Sequence, residues 1–366
     1  MWRRLFGTEN REQRAGSKGT REQESKGARE QGSEGAAASQ SLAPSSQPLA
    51  SQLERPDQLL RRLQWTVLQP LATRLGGDER SLVRGAGLEM TEVREYQPGD
   101  DVRHIDWNIT ARTERPHVRE AHAERGLDVW LVVDLSASVA WGTAQCLKRD
   151  RAIELAAVAG QLLGRRGNRV GALLFAERPL ALIPPAAGRP HLLRLLGALR
   201  EIDQQHAAQR YQGRTDLAAA LHQADALMRR RSLALIISDL LVGDGWLTAL
   251  NRLAQRHEVI VGRLSDPREG ALPDVGLITL EDPETGGQLL VNTSDRGLRE
   301  RFQQAAAAQA AQIEAAVTSS GADQLALSTD AELLPALVRF LSLRDTRRRL
   351  RAGAGARRHA QGVRTT

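Results

Sequence analysis

The residues with the clearest chemical pattern are Asp134, Ser136 and Ser138, which follow Leu127-Asp128-Val129-Trp130-Leu131-Val132-Val133 without a break. The apolar run reads as a buried strand, and it stops at one carboxylate and two hydroxyls at alternate positions. In an open α/β sheet ligands bind at the carboxyl ends of the strands, on the sheet's solvent edge. There Asp-x-Ser-x-Ser offers one anionic and two neutral oxygens to a hard cation, Mg²⁺ first, with Mn²⁺ or Ca²⁺ as alternatives. Two more oxygen-bearing residues stand at comparable ends. Thr215 opens a helix in Gly213-Arg214-Thr215-Asp216, and Asp239 follows a second fully apolar strand, Leu233 to Ser238. Two carboxylates and three hydroxyls leave a divalent cation one ligand short, a gap that a Glu or Asp of a partner would fill. The plainer reading of Asp-x-Ser-x-Ser is a polar turn in which Ser136 or Ser138 caps the next helix.

The elements that would position these residues alternate in type. Strands are expected at 127–134, 169–175 (with a short continuation at 179–183), 233–238 and 259–264, and helices at 151–166, 191–202, 217–228 and 246–257. Either Thr215 or Asp216 would cap the third of these helices. This alternation predicts an α/β fold, a doubly wound and mostly parallel sheet with helices on both faces. Beyond Pro273 a hairpin is expected around Pro283-Glu284-Thr285-Gly286-Gly287. A long Ala- and Gln-rich helix (295–319), a strand near Leu325 and a last helix (333–343) follow. Upstream, Leu59, Leu60, Leu63, Val67, Leu68 and Leu71 fall at helical spacing over 57–75.

Composition bounds the rest. Residues 1–55 are low-complexity, with nine basic and seven acidic side chains, and predict a disordered extension. Residues 56–84 form a helix and linker, 85–126 a strand-rich charged segment, 127–345 the main domain and 346–366 a basic disordered tail. Between Arg344 and Thr366 stand eight arginines and one aspartate, which carry the whole formal net charge of +7, so residues 56–343 are slightly acidic. A folded body near neutrality with 3% aromatic residues lacks the footprint of a nucleic-acid-binding domain. One cysteine, Cys146, fits a reducing compartment, and no apolar run is long enough to span a bilayer; a cytoplasmic protein is expected.

The combination of Asp134, Ser136, Ser138, Thr215 and Asp239 resembles the metal-ion-dependent adhesion site of von Willebrand factor type A domains. That resemblance implies Mg²⁺ held directly by the hydroxyls and largely through water by the two Asp, with a partner carboxylate completing the shell. Leu240 departs from the pattern, since many such domains have Gly there. The upstream block Arg94-Glu95-Tyr96-Gln97-Pro98-Gly99-Asp100-Asp101, with Arg103, Ile105-Asp106-Trp107 and Thr110-Ala111-Arg112, is similar to the signature of domain of unknown function family 58, which has a von Willebrand A-like fold. The arginines and acids of this block form either a ligand-gripping surface or an internal set of charge-assisted hydrogen bonds. The resemblance implies a non-enzymatic adaptor or client-binding partner of MoxR-type AAA+ ATPases; the chain carries no P-loop of its own. Two alternatives come from other classes. One is a Mg²⁺-dependent phosphohydrolase with Asp134 as nucleophile; Ser136 stands where its general acid belongs, and Lys148, the sole lysine beyond residue 26, is not expected at the site. The other is polyanion binding by the Arg-rich tail. No Gly-x-Ser-x-Gly elbow supports a serine hydrolase, and the histidines lack metal spacing.

Overall fold

The computed structural model describes residues 55–74, 91–97, 102, 105–113, 115–121, 126–164, 167–207, 213–243, 245–344 and 346. The expected extension at 1–55 and tail at 346–366 lie, but for Arg55 and Thr346, outside the described residues, as does Pro98-Gly99. The order of elements is α1 (Pro56–Leu63), a π-helical turn (Gln64–Leu68), α2 (Gln69–Arg74), β1 (Thr91–Glu95), α3 (Trp107–Thr113), β2 (His117–Ala121), β3 (Asp128–Asp134), α4 (Lys148–Leu163), β4 (Arg169–Phe175), β5 (Pro179–Ala186), α5 (Arg189–Ala207), α6 (Leu217–Leu227), β6 (Leu233–Ser238), α7 (Trp246–Arg256), β7 (Glu258–Ser265), α8 (Pro267–Gly270), β8 (Leu277–Glu281), β9 (Gln288–Asn292), α9 (Arg296–Ser319) and β10 (Asp323–Ser328). A last helix, α10, covers 333–344.

Six strands form the main sheet in the order β10-β7-β6-β3-β4-β5. All neighbours are parallel except β4 and β5, which run antiparallel at one edge. The chain works outward from β3 to β5, then returns to β6 on the other side of β3. The strand order therefore reverses between β3 and β6, and at such a reversal a crevice opens beyond the carboxyl ends of the strands.

Strand alternation divides the core. Val129, Leu131 and Val133 pack on the face covered by α1, α4, α5 and α10; Trp130 and Val132 pack on the face covered by α6, α7 and α9. Burial on both faces is why β3 and β6 read as unbroken apolar runs. The amphipathic stretch after Pro56 buries its leucines against the first of these faces, as its spacing requires. Its helix widens into a π turn before Pro70, whose missing N–H cannot continue the α ladder. Residues 91–121 pair β1 with β2 antiparallel, and α3, which the alternation there does not suggest, lies between them. Among the described residues no helix is long and apolar enough to cross a membrane.

One carboxylate braces the loop that follows β3. Asp266, just past β7, accepts from Thr143 N at 2.7 Å and Oγ1 at 2.6 Å, from Thr329 Oγ1 at 2.6 Å and from Arg268 N at 2.9 Å. Burial works against its charge, but these donors outweigh it and hold the carboxyl below its ordinary value. A group depressed in this way adds stability above the unfolded aspartate pKa, and that stability is lost as pH falls through the lower folded value. Asp266→Asn is expected to destabilise the protein by about 1–3 kcal/mol at pH 7, with a smaller penalty near pH 3. Urea unfolding at the two pH values checks this, and equal stability of the two proteins at pH 7 would refute the brace.

Candidate functional site

Four of the expected ligands, Asp134, Ser136, Ser138 and Asp239, are joined by hydrogen bonds at the strand-order reversal, and Thr215 is linked to them through Glu284. β3 ends at Asp134, and one step past the last paired residues, Val133 and Ile237, lies Ser238 at the end of β6. Ser238 Oγ donates to Asp134 Oδ2 at 2.6 Å, and Ser136 N donates to Oδ1 at 2.9 Å. The Ser136 and Ser138 hydroxyls lie 3.0 Å apart. Ser138 also hydrogen-bonds Asp239, whose Oδ1 accepts from Leu241 N at 3.0 Å. Helix α4 begins only at Lys148, with Leu147 at its cap position, so neither serine caps it. The capping reading of Asp-x-Ser-x-Ser therefore does not hold.

Thr215 likewise does not cap its helix. Asp216 takes the cap of α6, accepting from Ala219 N at 2.8 Å. Asp216 N in turn donates to Ala176 O at 3.1 Å, anchoring this segment beyond the end of β4. Gly213, at φ 107°, makes the turn that a side chain would strain. The Thr215 hydroxyl is left to donate to Glu284 Oε1 at 2.6 Å.

Glu284 and Lys148 are site residues that sequence reasoning missed. Glu284 sits at the tip of the β8–β9 hairpin, in the Pro-Glu-Thr-Gly-Gly stretch recognised only for its turn chemistry. Lys148, contrary to expectation, is buried at the site: its Nζ donates to Asp239 Oδ2 at 2.7 Å and also to Glu269. A lone lysine opening an amphipathic helix gives no local signal of this reach. The site is also more enclosed than a solvent-edge position implies, with Asp134, Ser136, Thr215 and Asp239 all buried.

The two aspartates are driven in opposite directions. Burial, then repulsion by Asp239, pushes the Asp134 carboxyl up to about 7 against its neutral hydrogen-bond donors. Burial also opposes the charge of Asp239, but the Lys148 ammonium outweighs it and holds this carboxyl below the ordinary range. Burial lowers Lys148 in turn, yet its two acids leave it raised. Glu269 stays raised, because burial and Asp239 together exceed the pull of the lysine. Arg263 feels both Glu269 and Asp239. Among the described residues, the four carboxyls of Asp134, Asp239, Glu269 and Glu284 meet two cationic side chains, Lys148 and Arg263, and burial holds all but Asp239 above their ordinary values.

Among the described residues no group of three or more His, Cys, Asp or Glu gathers as a metal site. The donor set is a mixed one: the carboxylates of Asp134 and Asp239, the hydroxyls of Ser136 and Ser138 bonded between them, and the Thr215 hydroxyl linked through Glu284. All are hard oxygens, and Asp134 is a buried carboxylate with only neutral donors on it. Such a set fits a hard divalent cation.

Residues 92–312, which include the charged upstream block, match the family described as protein of unknown function DUF58, and the chain belongs to that family. It is 43% identical over 285 residues to "Uncharacterized protein Rv1480" of Mycobacterium tuberculosis, covering 78% of this chain and 88% of that protein. Among solved structures it is similar to the conserved hypothetical protein BatB of Bacteroides thetaiotaomicron, at 14% identity over 60% of this chain and 100% of that one, with a TM-score of 0.38. It is also similar to a von Willebrand factor type A protein from Catenulispora acidiphila, at 14% identity over 50% and 43% of the two chains, with a TM-score of 0.26.

The Leu240 departure has a visible cost. Its backbone adopts φ 59°, in the left-handed region, while its side chain is buried. This turn lets Leu240 N donate to Ser238 Oγ at 3.1 Å and Leu241 N reach Asp239. Leu240→Gly is expected to relieve about 1–2 kcal/mol of backbone strain. Removing a buried leucine costs more, about 2–5 kcal/mol, so the variant should unfold at a lower temperature. A thermal midpoint equal to or above that of the parent would show that strain dominates.

Proposed function

We propose that the chain is a non-enzymatic interaction module that binds a Mg²⁺ ion at Asp134, Ser136, Ser138, Thr215 and Asp239 and uses it to engage an acidic residue of a partner protein. The observation that carries the reading is the meeting of Asp134 and Asp239 at the strand-order reversal, with Ser136 and Ser138 bonded between them and Thr215 released from capping. The bound ion would supply positive charge to the carboxylate side and an open coordination position to an incoming acid. The protein's own residues hold the donors rigid: Ser238 and the Ser136 amide orient Asp134, while Lys148 and the Leu241 amide orient Asp239.

The partner proposed from the family resemblance is a MoxR-type AAA+ ATPase or a client delivered to one. A phosphohydrolase is the less favoured reading. Ser136 occupies the position of its general acid and cannot move a proton near neutral pH. Lys148, although at the site, is engaged by Asp239 and Glu269 and is not free to grip a phosphate.

A ligand that binds only the folded state raises its stability by mass action. Mg²⁺ is therefore expected to raise the thermal midpoint of the full chain, reversibly by EDTA. Ser136→Ala should remove that rise while circular dichroism stays unchanged. A purified MoxR-type ATPase from the same source should co-elute in Mg²⁺ and separate in EDTA. Failure of Mg²⁺ to shift the midpoint overturns the metal reading, and phosphoester hydrolysis that is lost in Asp134→Ala overturns the non-enzymatic one.

A further inference from the structure

The hairpin carrying Glu284 is not part of the main fold. Strands β8 and β9 pair only with each other, as a separate two-stranded sheet. Leu277 and Leu290, on its outward face, are 65% and 63% exposed. A two-stranded hairpin has little stability of its own; this one buries Val291, and at its tip Glu284 accepts from Thr215, from the hydroxyl at 2.6 Å and from the backbone as well.

The tip is shaped to present this one acid. Glu284 N donates to Asp282 Oδ1 at 3.0 Å, Gly286 N donates to Asp282 O at 2.8 Å, and Asp282 N donates to Gly287 O at 2.9 Å. Gly286, at φ 71°, closes the turn. The loop thus satisfies itself and leaves the Glu284 carboxylate to face the site. There it is opposed first by burial and also by the charge of Asp239. An acid brought into a half-buried place beside another acid is stabilised by a cation shared between them.

We infer that Glu284 is the acidic ligand this chain supplies to its own cation site, standing where a partner's acid would otherwise bind, so that a partner must displace the hairpin tip. This rests on the metal reading above and adds its regulation: the site is closed in cis, and the competing group is carried on a two-stranded sheet that pairs with no other strand among the described residues. The expected partner chemistry is a single Glu or Asp side chain on a protein surface, matched to the group it replaces.

The test uses the full chain and Mn²⁺ alone, followed by calorimetry or by the paramagnetic signal of the free ion. Glu284→Gln keeps an oxygen for the Thr215 hydroxyl but loses the anion, and it should bind Mn²⁺ at least about tenfold more weakly, or about 1.4 kcal/mol. Glu284→Ala should be weakened as much, and acetate should restore its Mn²⁺ affinity while leaving that of the parent protein unchanged. A clasp that merely fastens the hairpin would not respond to acetate. Parental Mn²⁺ affinity in Glu284→Gln, or acetate having the same effect on both proteins, overturns the inference. Asp134→Ala separates the two levels. If it abolishes Mn²⁺ binding while Glu284→Gln does not weaken it, the cation site stands and the internal ligand falls. If Asp134→Ala binds Mn²⁺ as the parent does, both fall.

Discussion

Two carboxylates buried at the ends of adjacent parallel strands, Asp134 and Asp239, repel one another, and the surroundings answer that repulsion unequally. Asp239 receives a lysine ammonium, an amide and a serine hydroxyl. Asp134 receives only neutral donors from Ser238 and Ser136. One acid is therefore neutralised by the protein, and the other has only neutral donors on it among the described residues. A buried carboxyl raised by burial and a neighbouring acid, in a crevice at strand ends, is a candidate functional group. The hydroxyls that crowd around Asp134 make a hard divalent cation the natural complement.

The scaffold is arranged around keeping those groups in place. The reversal of strand order between β3 and β6 creates the crevice, and Asp266 ties the loop after β3 to the ends of β7 and β10. Asp216 takes over the capping of α6 so that Thr215 need not. Leu240 accepts a left-handed backbone to aim Asp239 inward while its side chain still fills the core. Each of these is a local cost or constraint with its compensation nearby. The β8–β9 hairpin lies outside the main sheet and reaches the site through Glu284.

Much of this was legible in the sequence because burial on two faces leaves an unmistakable mark. The apolar runs ending at Asp134 and Ser238 located both strand ends, and the alternation of strands and helices implied their convergence. Thr215 stood out as a hydroxyl at a helix start, but which of Thr215 and Asp216 caps that helix stayed open until the structure gave the cap to Asp216. Lys148 and Glu284 were invisible for a physical reason. Their partners, Asp239 and Thr215, lie 91 and 69 residues away, and neither side chain leaves a periodic trace in its own segment. Pro-Glu-Thr-Gly-Gly announces a turn whatever the acid at its tip does. Helix α3 escaped notice because the charged block around it has no apolar period, and the π turn because Pro70 interrupts a helix whose apolar stripe continues past it. The Leu240 departure, noted from the family pattern, turned out to mark a backbone position that glycine would occupy without strain.

Whether Asp134 and its neighbouring hydroxyls hold a divalent cation is read out by anomalous diffraction from crystals of the full chain soaked in Mn²⁺. One strong peak is expected in contact with the Ser136 and Ser138 hydroxyls, beside Asp134 and on the side of Asp239 away from Lys148. Clear density for these side chains with no peak among them, or a peak only elsewhere on the protein, would contradict it.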